Sequence, residues 1–131
     1  MQADPRYLRP YEPMVLLAVN RHDWERAVEL ANIALGLDQS NVKLQWLNAV
    51  SHFELGNHDE ALSGFGKVEA DEAGAMQYPQ THHIKGLIYS QRGQYAEAVT
   101  ELERFLEIAP DGPTAEAIRG QIADWRANGV V

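Results

Sequence analysis

The side chains able to do chemistry in this sequence are five histidines, nineteen carboxylates and eleven cations, and cysteine is absent. Without cysteine there is no thiol nucleophile, no disulfide and no thiolate-ligated zinc. The histidines are His22, His52, His58, His82 and His83. A helical zinc site needs two imidazoles one turn apart, as in His-Glu-x-x-His, so that both reach one ion. No pair here has that spacing. His82 and His83 are adjacent, and neighbouring helical residues diverge by about 100°, so they read as helix-surface histidines. His52 and His58 flank a turn. Glu69, Asp71 and Glu72 would attract a cation, but a solvated acidic turn accounts for them. The carboxylate pairs Asp59/Glu60 and Glu101/Glu103 fall at helix-surface positions and carry no acid–base assignment. No glycine-rich phosphate loop occurs. The expectation is a chain with no catalytic, cofactor-binding or metal-ligating residues, and not an enzyme.

Bulk composition narrows the partners. The formal charge is −8 and the isoelectric point is ≈ 5.0, whereas a phosphate-backbone binder needs a basic stripe. Arg9, Arg21 and Arg26 make one region locally basic, but no aromatic platform is interleaved with them. Nucleic acid is therefore not an expected partner. The longest apolar run, Met14–Val19, has six residues, against roughly 20 for a membrane span and about 7–15 for the core of a secretory signal. Neither a membrane association nor a compartment follows; the cytoplasm is the default. With 131 residues, 45% of them hydrophobic, one domain with a real core is expected.

Glycine, proline and turn clusters punctuate the chain at Arg21–Asp23, Gly36–Ser40, Gly56-Asn57, Ala70–Pro79, Arg92-Gly93 and Ala109–Pro113. The stretches between them are rich in Ala, Leu and Glu, and none alternates as a strand would. Seven helices are predicted, over about 10–21, 24–36, 41–55, 58–72, 80–92, 95–109 and 113–127. Asn57 followed by Glu60 has the spacing of a capping box. Pro113 suits a first helical position and Asn128-Gly129 a helix end. Short loops make neighbouring helices antiparallel hairpins.

Three segments read alike: His22–Ala27, Gly56–Ala61 and Gly93–Ala98. Their closing alanines are 34 and then 37 residues apart. Twelve residues before each alanine stand Val15, Ala49 and Gly86; nine before, Ala18, His52 and Tyr89; three before, Trp24, His58 and Tyr95; four after, Ala31, Phe65 and Leu102; twelve after, Gln39, Ala73 and Pro110. This register resembles the tetratricopeptide repeat (TPR) family, whose period is 34 residues. The third repeat matches best. The resemblance implies an all-α, right-handed superhelix of three TPR-like hairpins (8–41, 42–75 and 79–112) in one domain spanning 1–131. A C-terminal capping helix, 113–128, carries Gly120 in the register of Gly86. Asp4-Pro5 lies 34 residues before Asp38-Gln39 and resembles the close of an earlier repeat, so the chain is expected to be the C-terminal part of a longer array. A plain N-terminal extension is the alternative.

The second and third repeats depart from the family where it has bulky apolar residues. Gln45 and Asn48 stand there in one, His82 and Lys85 in the other. Gln45, Asn48 and His52 form a polar stripe on the wheel of their helix, opposed by Leu44, Trp46, Leu47, Val50, Phe53 and Leu55. Two orientations are open, one with Trp46, Val50 and Phe53 in the groove and one with them in the core.

The resemblance implies a non-catalytic protein–protein interaction module. First helices of successive repeats line a concave groove, whose expected contact residues are Leu16, Val19, Asn20, Lys43, Trp46, Val50, Phe53, His83, Leu87 and Gln91. Arg9 occupies a further groove position. The carboxylate clamp of the family's chaperone adaptors is missing, since Glu12, Leu16, Leu47, Gln80 and Ile84 occupy the corresponding positions. An apolar or amphipathic peptide is the expected ligand. The alternative is a scaffold or self-association segment of a larger protein. No cofactor is implied.

Overall fold

A computed structural model describes residues 11–131. Arg9 and the Asp4-Pro5 register lie outside the described residues. Among these residues there are eight helices and no strand, as an all-α chain requires. Two compact units divide the chain, Met1–Gly74 and Ala75–Val131.

The first unit holds α1 (Tyr11–Asn20), α2 (Trp24–Leu37), α3 (Val42–Glu54) and α4 (His58–Ala70). Asp23 caps α2 by accepting from the Arg26 amide at 3.3 Å, and Asn41 caps α3 through the Leu44 amide at 3.0 Å. Each satisfies a donor with no partner inside its helix. Val15, Leu30, Ala31, Ala34, Leu44 and Leu47 form one core cluster. On α4, Ala61, Phe65 and Val68 are fully buried. The expected capping box at Asn57 does not form: its side chain lies 3.2 Å from His52 Nδ1 and caps nothing.

The second unit holds α6 (Gln80–Gln91), α7 (Tyr95–Ile108) and α8 (Pro113–Ala127). Val99, Leu102 and Phe105 of α7 form its core with Ile118 and Ile122 of α8. Pro113 opens α8 as its type predicts. An eighth helix, α5 (Glu72–Gln77), lies inside the stretch read as a plain connection. Asp71 starts it by accepting from the Gly74 amide at 2.8 Å; the alanines and glycine around it disguised a single capped turn and a half.

The repeat register appears twice in the geometry. His22, Gly56 and Gly93 close the three hairpins with φ of 58°, 82° and 75°, the left-handed conformation that ends a helix cheaply only in glycine. In each case the next amide returns to a carbonyl five residues back, as from Gln94 to Tyr89 at 2.8 Å. The anchor alanines Ala27, Ala61 and Ala98 are fully buried. At Gly86 an added Cβ would come within 2.7 Å of Leu102 and 3.4 Å of the Ala98 carbonyl oxygen, so α6 and α7 approach closely because that side chain is missing.

The polar departure in the third repeat has a partner. His82 Nδ1 donates to Glu101 at 3.0 Å, while Lys85 and Arg104 reach the other carboxylate oxygen, each at 3.2 Å. Burial opposes the charge on Glu101, but the His82 hydrogen bond and the Lys85 ammonium outweigh it and hold its carboxyl below the ordinary 4.5. A carboxyl with a depressed folded pKa stabilises above its unfolded pKa, and that stability is lost as pH falls through the folded value. Glu101→Gln should therefore cost about 2 kcal/mol near neutrality, where it replaces a carboxylate that accepts charge-assisted hydrogen bonds. The difference from wild type should shrink as pH falls below the ordinary 4.5 and through the lower folded value of Glu101. Urea melts of both proteins from pH 3 to 8 measure this; a pH-independent difference would show that the charge contributes nothing.

Candidate binding surfaces

The second unit carries a cleft of ≈ 400 Å³ between α6 and α8. Its floor is Leu102 and Ile118, from the core of the unit. His83, Leu87 and Ser90 form the α6 wall. Opposite stand Thr114, Ala117, Gln121 and Trp125 of α8. The α6 wall is open to a ligand because Leu87 is 38% exposed, high for a large apolar side chain beside a core. Trp125 is held by an edge-on contact with Tyr95, ring centroids 5.3 Å apart. His83 packs at 5.6 Å from the Phe105 ring, and burial pushes its imidazole below the ordinary 6.5, which favours the neutral ring. Among the described residues, no lysine, arginine or carboxylate lines this cleft. Its chemistry suits an apolar side chain, with hydroxyl and amide groups at the edge.

Of the expected groove residues in this unit, the structure brings His83 and Leu87 to the cleft. Gln91 is exposed and lies outside its lining. Ala117 and Gln121 were not anticipated, although the signal was present. They stand 34 residues after His83 and Leu87, so the repeat register that relates Gly120 to Gly86 extends to them.

In the first unit, Leu16, Val19 and Trp46 are half-buried and pack against the same core cluster. Val50 and Phe53 are also half-buried, and Asn20 and Lys43 are exposed. The Trp46 ring tilts onto Phe65 at 5.5 Å, and Phe53 stacks on His58 at 5.8 Å. The Trp46/Val50/Phe53 stripe is thus neither free surface nor core: one side of it is packed and the other is open. Leu47, expected at a clamp position, is instead buried in the core. Glu12, at another, accepts from the Asn41 side chain at 2.7 Å and ties α1 to the start of α3. Asn48 donates to Asn32 of α2 at 3.1 Å, and Gln45 donates to the Gln39 carbonyl, in the loop between α2 and α3, at 2.6 Å. Ala49 faces Gly64 across the α3–α4 crossing, where an added Cβ would come within 2.8 Å. The helix keeps the repeat's orientation, with amides where leucines are usual.

Antiparallel helix pairs recurring at a 34-residue register, joined by left-handed turns and packed through small residues, define an α-helical repeat protein. Residues 13–76 and 84–123 each match a tetratricopeptide repeat family model. The chain belongs to the tetratricopeptide repeat family. Among solved structures it is similar to the Arabidopsis OM64 TPR domain, with a TM-score of 0.78 at 17% identity, over 89% of this chain and 94% of that one. That likeness is one of fold. No curated protein shows a match to the sequence. The repeats make this a protein-interaction fold, and no helix among the described residues is long and apolar enough to cross a membrane.

Proposed function

We propose that this chain is a non-catalytic protein–protein interaction module that takes an apolar or amphipathic segment of its partner. The observation that carries it is the uncharged, apolar-floored cleft between α6 and α8. Leu87, His83, Ala117 and Gln121 contact the ligand there. In the first unit, the open side of Trp46, Val50 and Phe53, with Leu16, Val19, Asn20 and Lys43, is the corresponding contact surface. The partner is a protein, with nucleic acid disfavoured by the net charge of −8.

Panning a phage-displayed library of random dodecapeptides on the protein tests this. Enriched peptides should share large apolar residues at helical or alternate spacing. Their affinity should fall at least tenfold in Leu87→Glu, a loss of about 1.4 kcal/mol, with the melting temperature unchanged because Leu87 is exposed. Trp46→Ala measures the first-unit surface in the same assay. Peptides that bind through a terminal carboxylate, or that ignore Leu87→Glu, would overturn the assignment.

The cleft also predicts a pH dependence. A bound apolar group takes His83 further from water and favours its neutral form. Affinity should be full above pH 6.5, the ordinary histidine value, and fall as pH drops through the lower pKa of His83. Isothermal titration with an enriched peptide between pH 5 and 8 checks this, and His83→Phe should flatten the profile.

A further inference from the structure

The second and third repeats hold the same four positions in two chemical forms. Their closing alanines, Ala61 and Ala98, are 37 residues apart. At that offset Gln45, Asn48, Gly64 and Lys67 of the α3–α4 hairpin correspond to His82, Lys85, Glu101 and Arg104 of the α6–α7 hairpin. In the third repeat the four side chains form one cluster, in which the buried Glu101 carboxylate receives His82 at 3.0 Å, and Lys85 and Arg104 at 3.2 Å each. In the second repeat the same four residues line a crevice of ≈ 260 Å³, together with Leu35 of α2 and Gln39 of the loop that follows it. Gly64 stands in the place of Glu101, so this repeat supplies no carboxylate of its own at that position. Among the described residues, no carboxylate lines the crevice at all.

We infer that this crevice binds a carboxylate on a short aliphatic stem, seated where the third repeat seats its own Glu101. The lining is a set of donors. Asn48 gives one amide hydrogen to Asn32 at 3.1 Å and Gln45 gives one to the Gln39 carbonyl at 2.6 Å, and each primary amide carries a second. Gln39 adds an amide and Lys67 an ammonium, against the roughly four acceptor sites of an ionised carboxylate. Lys67 pairs with the ligand as Arg104 pairs with Glu101, and Leu35 packs on its stem. The exchange of His82 and Lys85 for amides suits a ligand that comes and goes. A buried cation left without its partner is costly, whereas amides already bonded to the protein and an exposed lysine stand empty without that penalty. The site shares no residue with the α6–α8 cleft and does not depend on a peptide binding there.

The probe is butyrate, which has the carbons of a glutamate side chain with Cα included. It is titrated into the isotope-labelled full chain while sodium chloride holds the ionic strength constant. In proton–nitrogen correlation spectra the side-chain amide signals of Gln45 and Asn48 should shift saturably in the millimolar range. Butyramide, of the same size and uncharged, should bind at least tenfold more weakly. Lys67→Gln should weaken butyrate at least tenfold, whereas Lys43→Gln, at an exposed lysine of α3 outside the crevice, should leave it unchanged. Asn48→Leu fills the crevice with an aliphatic side chain and should abolish binding without lowering the melting temperature. A parallel titration with the α-amide of N-acetylglutamate separates the two sources of the group: tighter binding than butyrate assigns the site to an acidic side chain of a polypeptide, weaker binding to a free acid. Absence of saturable shifts with both acids, equal shifts from butyramide, or indifference to Lys67→Gln would overturn the assignment.

Discussion

Ala98→Glu should remove the cooperative melting transition of α6 and α7. Ala98 is fully buried, and its carbonyl oxygen lies 3.4 Å from where a Cβ on Gly86 would stand. The crossing is close because Gly86 has no side chain and Ala98 only a methyl, so a glutamate at 98 has no room without forcing the helices apart. Overpacking of this kind costs about 1–3 kcal/mol. The carboxylate must also leave water, and a buried charge without a partner adds about 3–5 kcal/mol. The sum rivals the whole stability of an ordinary domain, about 5–15 kcal/mol. Circular dichroism melts and urea titrations would record it as a lost or non-cooperative transition. Ala98→Ser, which adds one small hydroxyl, should stay folded with a modest drop. A wild-type melt for Ala98→Glu would mean that α6 and α7 cross elsewhere.

Removing residues 113–131 should be nearly as damaging. Helix α8 buries Ile118 and Ile122 against Val99, Leu102 and Phe105, and Trp125 packs on the same cluster. Burying an isoleucine is worth about 1.5–3 kcal/mol, so the two isoleucines alone stabilise by about 4 kcal/mol. For a chain of this size that corresponds to a fall in melting temperature of about 10–20 °C. The uncovered face of α7 would then be an apolar patch in water, and the end of a repeat array needs a polar covering to stay soluble. Differential scanning calorimetry and light scattering on the 1–112 fragment would show early melting and aggregation. A fragment as stable and monodisperse as the full chain would make α8 a passenger.

The fold was legible because its signals are local and recur. Small residues at the crossings repeat at Ala27, Ala61 and Ala98, and all three are fully buried. The left-handed turns repeat at His22, Gly56 and Gly93. The binding surfaces were less legible. Whether Leu47 or Trp46 faces the core depends on how neighbouring helices lean, and both are apolar on the same wheel; Leu47 proved buried and Trp46 half-buried. Helix α5 escaped because a six-residue helix has too few positions to show a period. The partners of Glu101 were hidden for a different reason. His82 and Lys85 lie on another helix, nineteen and sixteen residues away, and only the α6–α7 packing shows that one carboxylate answers both.

The amide-lined crevice where α2 meets α3 and α4 bears on how the first unit comes apart. Repeat arrays behave as chains of nearest-neighbour couplings, and such a chain parts first at its weakest link. Gln45 and Asn48 contribute hydrogen bonds to that link, each worth net about 1 kcal/mol, where buried leucines would contribute about 2 kcal/mol apiece. At this crevice the α1–α2 hairpin is therefore coupled to α3 and α4 more loosely than leucines there would allow, and the Val15–Leu30–Leu44–Leu47 cluster carries the rest of the seam. Amide exchange should then find α1 and α2 opening together at a free energy below that of complete unfolding. Such a joint would let the α1–α2 hairpin yield to a tug or a bound load while α3 and α4 hold their packing.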